Sequence, residues 1–270
     1  MKTLALACRE VLLTPDPHAK VMAARATARD WRLGRLAHGF DVPMPDRPAR
    51  PALPELLHPH RMPRRGKAGS ERSRIAMLHA LAHIEFVAID LAFDCAGRFG
   101  GGFDPAFADD WMRVGAEEAM HFALLSRRLQ SLGSSYGVLP AHDGLWEAAE
   151  ETAHDVMARL AIVPMVLEAR ALDITPATID RFSTAGDLIS ARMLGRIMQD
   201  EIRHVSAGTK WFVSAASRAG FDPYESYQIL VKRHFRGSLK PPFNDSARSQ
   251  AGLTREYYAA LASSRLICTL

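Results

Sequence analysis

Glu118 and His121 stand three residues apart, as do Glu201 and His204, and both pairs lie in stretches of helical periodicity. Side chains three apart share one face of a helix. Around Glu118 that face carries Trp111, Val114, Gly115, Phe122 and Leu125; around Glu201 it carries Leu194, Ile197, Met198 and Val205. Two further acids stand alone on apolar faces. Glu85 has Leu78, Leu81, Ala82, Ala88, Ile89 and Ala92 as neighbours, and Glu168 has Ala161, Met165, Ala171 and Leu172. Buried acids and imidazoles are costly unless paired, and clustered carboxylates repel one another and take up protons. Cation charge removes that penalty. The order is acid, ExxH, acid, ExxH, and the interval from Glu85 to Glu118 equals that from Glu168 to Glu201, 33 residues. Four carboxylates and two imidazoles facing inward from four helices can hold two divalent ions. Glu118 and Glu201 are the candidate bridging, catalytic carboxylates. This oxygen-rich set suits iron or manganese better than structural zinc. The alternative is a buried Glu/His hydrogen-bond network without metal.

Other residues near this pattern carry less. Asp200 could accept the N–H of a metal-bound imidazole or be a surface acid; Arg203 could neutralise a ligand carboxylate or face solvent. Glu151 and His154 form another ExxH, but Glu147 and Asp155 share their face. They lie about 25 Å along the helix from Glu168, so they read as a solvated end. His79 and His83 fall off the line of Glu85 and read as core or surface histidines. Pro164 should bend its helix one turn before Glu168.

The elements that must position these residues are helices. Short helices are expected at about Leu4–Leu12 and from Pro17 to about Ala37, then an irregular arm from Val42 to Gly69, rich in proline and arginine. Four long amphipathic helices follow, at about Ser70–Ala96, Asp104–Leu132, Leu145–Asp173 and Asp187–Ala216, with a short helical turn starting at Thr175-Pro176. Two more are expected at Pro223–Phe235 and Thr254–Ser264. No strand pattern stands out. The connection at about 133–144 can just cross a bundle of this length, which is the ferritin-like arrangement of two antiparallel pairs. The fold class is therefore all-α: a ferritin-like four-helix bundle with additional N-terminal and C-terminal helices. The expected division is 1–69 for the N-terminal helices and arm, 70–216 for the bundle and 217–270 for the C-terminal extension.

Gross composition excludes some classes. The chain has 270 residues, 48% hydrophobic, with a net charge of only +4, which permits a polyanionic partner without arguing for one. Arg61, Arg64, Arg65, Lys67, Arg72 and Arg74 form one basic cluster, and Lys232, Arg233, Arg236 and Lys240 another. Cys8, Cys95 and Cys268 are too scattered for a disulfide framework or a cysteine zinc site. The apolar run Met77–Phe93 contains His79, His83, Glu85 and Asp90, so it reads as a buried helix. A cytoplasmic protein without a membrane span is expected.

The acid, ExxH, acid, ExxH order resembles the ferritin-like di-iron carboxylate superfamily, with Glu85, Glu118, His121, Glu168, Glu201 and His204 at the six ligand positions. Asp200-Glu201-Ile202-Arg203-His204 also looks like the DExRH motif of bacterial multicomponent monooxygenases, in which the Asp and Arg stand behind the ligands. The segment around Glu118 departs from the fuller motif, with Glu117 before it and Ala119-Met120 in the gap. More closely, the chain is similar to an uncharacterised bacterial family of ferritin-like proteins, including its SERSR and LKPPFN segments. The di-iron tRNA hydroxylase is a distant functional analogue. The resemblance implies two iron ions, or manganese or a mixed Fe/Mn pair, and O₂-dependent oxidation of an organic small molecule or RNA. A peroxide-handling or manganese redox enzyme and a non-catalytic metal-binding protein are the other readings. Gly100-Gly101-Gly102 lacks a phosphate-loop context, so electrons would come from an external reductase. No DNA partner is expected.

Overall fold

A computed structural model describes residues 1–63, 66 and 68–263. Arg64, Arg65 and Lys67 of the first basic cluster, Cys268, and the expected helix end at Ser264 lie outside the described residues. The fold is all-α, a ferritin-like four-helix bundle with extra helices. Among the described residues there is no sheet, only isolated bridges pairing Thr3 with Ala37 and Leu56 with Ala141. By its contacts the chain divides into two compact units. One is Met1–Glu150 with Asp180–Met193; the other is Glu151–Ile179 with the chain from Leu194 on.

The first unit holds α1 (Leu4–Leu12), α2 (Pro17–Arg32), α3 (Glu71–Phe99), α4 (Pro105–Ser131) and α5 (Gly144–Glu151). Each start is written in the sequence. Asp16 caps α2 before Pro17, Ser70 and Ser73 form a capping box on α3, and Asp104 caps α4 before Pro105; each satisfies amide donors the first turn would orphan. Helix α2 stops at Arg32, short of the expected Ala37, because Gly34 takes φ +67° and turns the chain. Helices α3 and α4 run side by side across the short Gly100–Asp104 link. A Cβ on Gly115 would sit 2.6 Å from the Phe93 ring, so only glycine permits this approach. Among its described residues the Pro-rich arm is irregular, with a 3₁₀ turn at Pro59–Arg61, and it is tied down at residues 44–47. Met44 is buried against Gly97, Arg98 donates to the Pro45 carbonyl at 2.9 Å, Trp146 to that of Asp46 at 3.2 Å, and Arg47 pairs with Asp143. Among the described residues α3 is the one helix long and apolar enough to cross a membrane. Its face is a buried core face.

In the second unit the expected single helix from Leu145 to Asp173 is broken. Asp155 caps a new helix, α6 (Val156–Ile162), by accepting from Met157 and Ala158 N–H. A π-helical turn (Val163–Glu168) then leads into α7 (Ala169–Thr184). Pro164 is the reason: it has no N–H and its ring crowds the preceding turn. The wider turn relieves this, with Ala169 N–H donating five residues back to the Pro164 carbonyl. The Tyr227 hydroxyl donates to the carbonyl of Met165 at 3.2 Å, serving a group in the altered ladder. Pro176 begins no new helix but lies inside α7. Helix α8 (Leu188–Arg218) passes the π turn at Gly208, and α9 (Pro223–His234), α10 (Asp245–Gln250) and α11 (Arg255–Ser263) complete the chain. The Leu239–Asn244 loop and α10 dock on α7. Asn244 Nδ2 donates to Leu172 O at 3.2 Å, and Arg248 makes two bonds to buried Asp173, at 2.8 and 2.7 Å.

Candidate metal centre

Glu85 on α3 and Glu118 and His121 on α4 are all buried. The His121 Nδ1 atom lies 3.3 Å from Glu118 Oε2 and 3.4 Å from Glu85 Oε2. Burial alone would push this imidazole's pKa down. The hydrogen bonds and charges of Glu118 and Glu85 outweigh that and hold it up to about 11. The two acids thus draw positive charge into a dry site, which a divalent ion would supply more strongly.

On α8, Glu201 and His204 are buried and one turn apart, with Nδ1 of His204 3.6 Å from Oε1 of Glu201. Glu85, Glu118, His121 and Glu201 each offer a ligand atom, all within 4.8 Å of one another. Three carboxylates and one imidazole, all buried, fit a hard divalent cation in donor type and can chelate a dinuclear centre. Glu168 and His204 are not members of this set of four. Glu168 closes the π turn, half-buried, and π turns often mark functional sites.

Asp200 is buried rather than on the surface. It accepts from Arg196 at 3.2 Å and pairs with half-exposed Arg203, so these two arginines, one turn to either side, neutralise it. Glu151 and His154 are exposed; Glu151 meets Arg236 at 3.1 Å, away from the cluster. His79 and His83 are buried and tether the α4–α5 connection. His79 Nε2 accepts from Gly137 N–H at 2.9 Å. His83 lies 2.9 Å from the Tyr136 hydroxyl and 3.2 Å from the His142 carbonyl.

Sequence reasoning missed a buried charge network centred on Asp90, five residues along α3 from Glu85. Lys20 on α2 and Asp90 on α3 are both fully buried and paired, with Arg50 of the arm on the other oxygen of Asp90. Lys20 and Arg50 also lie 5.5 Å from the Phe86 ring centre. The signal was present: Asp90 sits in an otherwise apolar run and had to find a cation.

A family described as "Protein of unknown function (DUF455)" matches residues 13–259. The chain belongs to the DUF455 family. The match spans all six expected ligands and the Asn244–Arg248 staple. The chain is also similar to an "Uncharacterized protein" from Haemophilus influenzae, 41% identical over 220 residues, covering 79% of this chain and 76% of that one. No solved structure matches it significantly. In this DUF455 chain the acid–histidine cluster is therefore the feature from which function must be argued.

Proposed function

We propose that this chain is a cytoplasmic di-iron oxidoreductase that activates O₂ to oxidise an organic or RNA substrate, drawing electrons from a separate reductase. The observation that carries the reading is the buried group of Glu85, Glu118, His121 and Glu201, with ligand atoms within 4.8 Å. In this reading Glu168 and His204 complete the ligand set, by analogy with the first pair, and the DExRH-like string makes Asp200 and Arg203 the groups that orient and balance it. The bound metal pair would supply redox chemistry with O₂. The chain supplies the rest: Glu118 and Glu201 would hold the ions with Glu85, apolar walls exclude water, and the His121 imidazole is fixed between Glu118 and Glu85. The likeness to di-iron hydroxylases of tRNA and to multicomponent monooxygenases supports the oxygenase choice.

The test is elemental analysis of protein purified without added metal or chelator, beside an E118A/E201A variant. About two irons per chain, lost in the variant, followed by reductant-dependent O₂ consumption, is the expected result. Two manganese ions would move the reading to a manganese redox enzyme. No metal after anaerobic iron loading would refute it and leave a polar core network.

A further inference from the structure

A cavity of about 1080 Å³ opens between α2 and α4, wholly within the first unit and on residues the metal reading does not use. Its lining is rich in arginine: Arg25, Arg32 and Arg113, all solvent-exposed, line it and have no carboxylate partner among the described residues. Arg29, between the first two, has only a long contact with Asp30 at 3.4 Å.

The placement is directional. Arg25, Arg29 and Arg32 recur at four- and three-residue intervals, so they share one face of α2, and Arg25 and Arg32 are about 10 Å apart along the axis. Arg113 faces them from α4. Two acids stand in the wall: Glu117, one turn beyond Arg113, and Asp109, which accepts the Trp31 indole N–H at 2.8 Å. That bond fixes the half-buried Trp31 ring in the cavity wall, beside His38. Like charges gathered in a concavity repel, and a bound polyanion relieves them. Guanidinium groups bind phosphate in a forked, two-bond geometry. An aromatic ring beside such groups is the recognition pattern of a nucleotide chain, with bases on the ring and phosphates on the cations.

We propose that the α2–α4 cavity binds a ligand carrying two or more successive phosphates beside an aromatic base, gripped by Arg25, Arg32 and Arg113. The shared chemistry could come from a free nucleoside polyphosphate or from a single nucleic-acid strand. This is a binding claim that stands whether or not the metal centre is redox-active.

The test is fluorescence anisotropy with a labelled ten-residue oligouridylate at about 50 mM salt, using the purified full chain. Competitors are ATP, tripolyphosphate and polyglutamate. The R25A/R32A/R113A variant is compared with K232A/R233A/R236A, which removes equal charge elsewhere, and thermal melts confirm that both fold. The expected result is saturable binding, weakened at least tenfold in the first variant and little in the second. The slope of log K against log salt should fall by about 2, three contacts at about 0.7 each. Efficient competition by ATP assigns the cavity to a nucleoside polyphosphate; competition only by unlabelled strand assigns it to nucleic acid. No binding to oligomer or ATP, equal weakening in both variants, or equal competition by polyglutamate would overturn the proposal.

Discussion

Gly208→Ala should destabilise this chain even though alanine is the better helix former. A Cβ at position 208 would stand 2.4 Å from both Cβ and Cγ of Pro164. Carbon atoms in contact prefer about 3.5–4.0 Å, so α8 and the π turn would have to part by about 1 Å. The proline ring is fixed to its backbone and cannot swing aside. Against this, alanine is worth about 1 kcal/mol over glycine inside a helix. Overpacking costs about 1–3 kcal/mol, and a misfit this large belongs at the upper end. The net expectation is a loss of about 2 kcal/mol, read from the urea midpoint at unchanged slope. In the proposed ligand set, which includes Glu168 at the end of the displaced turn, metal content should fall as well. A double-mutant cycle with Pro164→Gly isolates the cause: with the ring gone the alanine should stabilise by about 1 kcal/mol, giving a coupling of about 3 kcal/mol. If Gly208→Ala alone is as stable as wild type or more so, the packing argument is wrong.

Other perturbations have equally definite signs. Asp90→Asn leaves the fully buried Lys20 without its counter-charge and should cost about 3–5 kcal/mol in chemical denaturation, far more than Asp30→Asn on the surface. Arg248→Ala leaves the Asp173 carboxylate only the half-exposed Arg170 at 3.4 Å and should cost up to about 3 kcal/mol, with Arg248→Lys recovering only part. His83 supplies a pH signature. Burial, then the charge of Arg50, pushes its pKa down to about 3. Between the unfolded value of about 6.5 and 3, the unfolded chain binds a proton that the native chain refuses. Stability should therefore fall with acid by up to about 1.4 kcal/mol per pH unit across that window. His83→Gln should lack that slope, so the difference between wild type and variant should carry it; a flat difference would refute the assignment.

The cluster was legible because its chemistry contradicts its surroundings. Glu85, Glu118, His121 and Glu201 are polar groups on faces otherwise built for a core, and helical spacing alone puts His121 within reach of Glu118 and His204 within reach of Glu201. Helix starts were legible for the same local reason: Asp16-Pro17 and Asp104-Pro105 carry their caps with them. The broken helix was not. Asp155 reads as one more polar residue on a solvated end until its side chain is seen capping Met157, and Pro164 announces a bend without saying that a wider turn will absorb it. The room for that turn comes from Gly208, which is 44 residues away in the sequence and looks like any helical glycine. The roles of His79, His83 and Arg50 were hidden too, because each contact involves the arm or a loop whose path no periodicity describes, and Lys20 meets Asp90 only where α2 packs on α3.

The Arg248–Asp173 pair has a consequence in time. Its partners are separated by 75 residues, and ribosomes add about 5–20 residues per second. For about 4–15 seconds after Asp173 is made, the acid that will sit fully buried under α10 has no Arg248 to meet it. The α7 segment therefore cannot reach its final packing until α10 has been made. A chain stalled before Arg248 would leave Asp173 with only the half-exposed Arg170 as its cation.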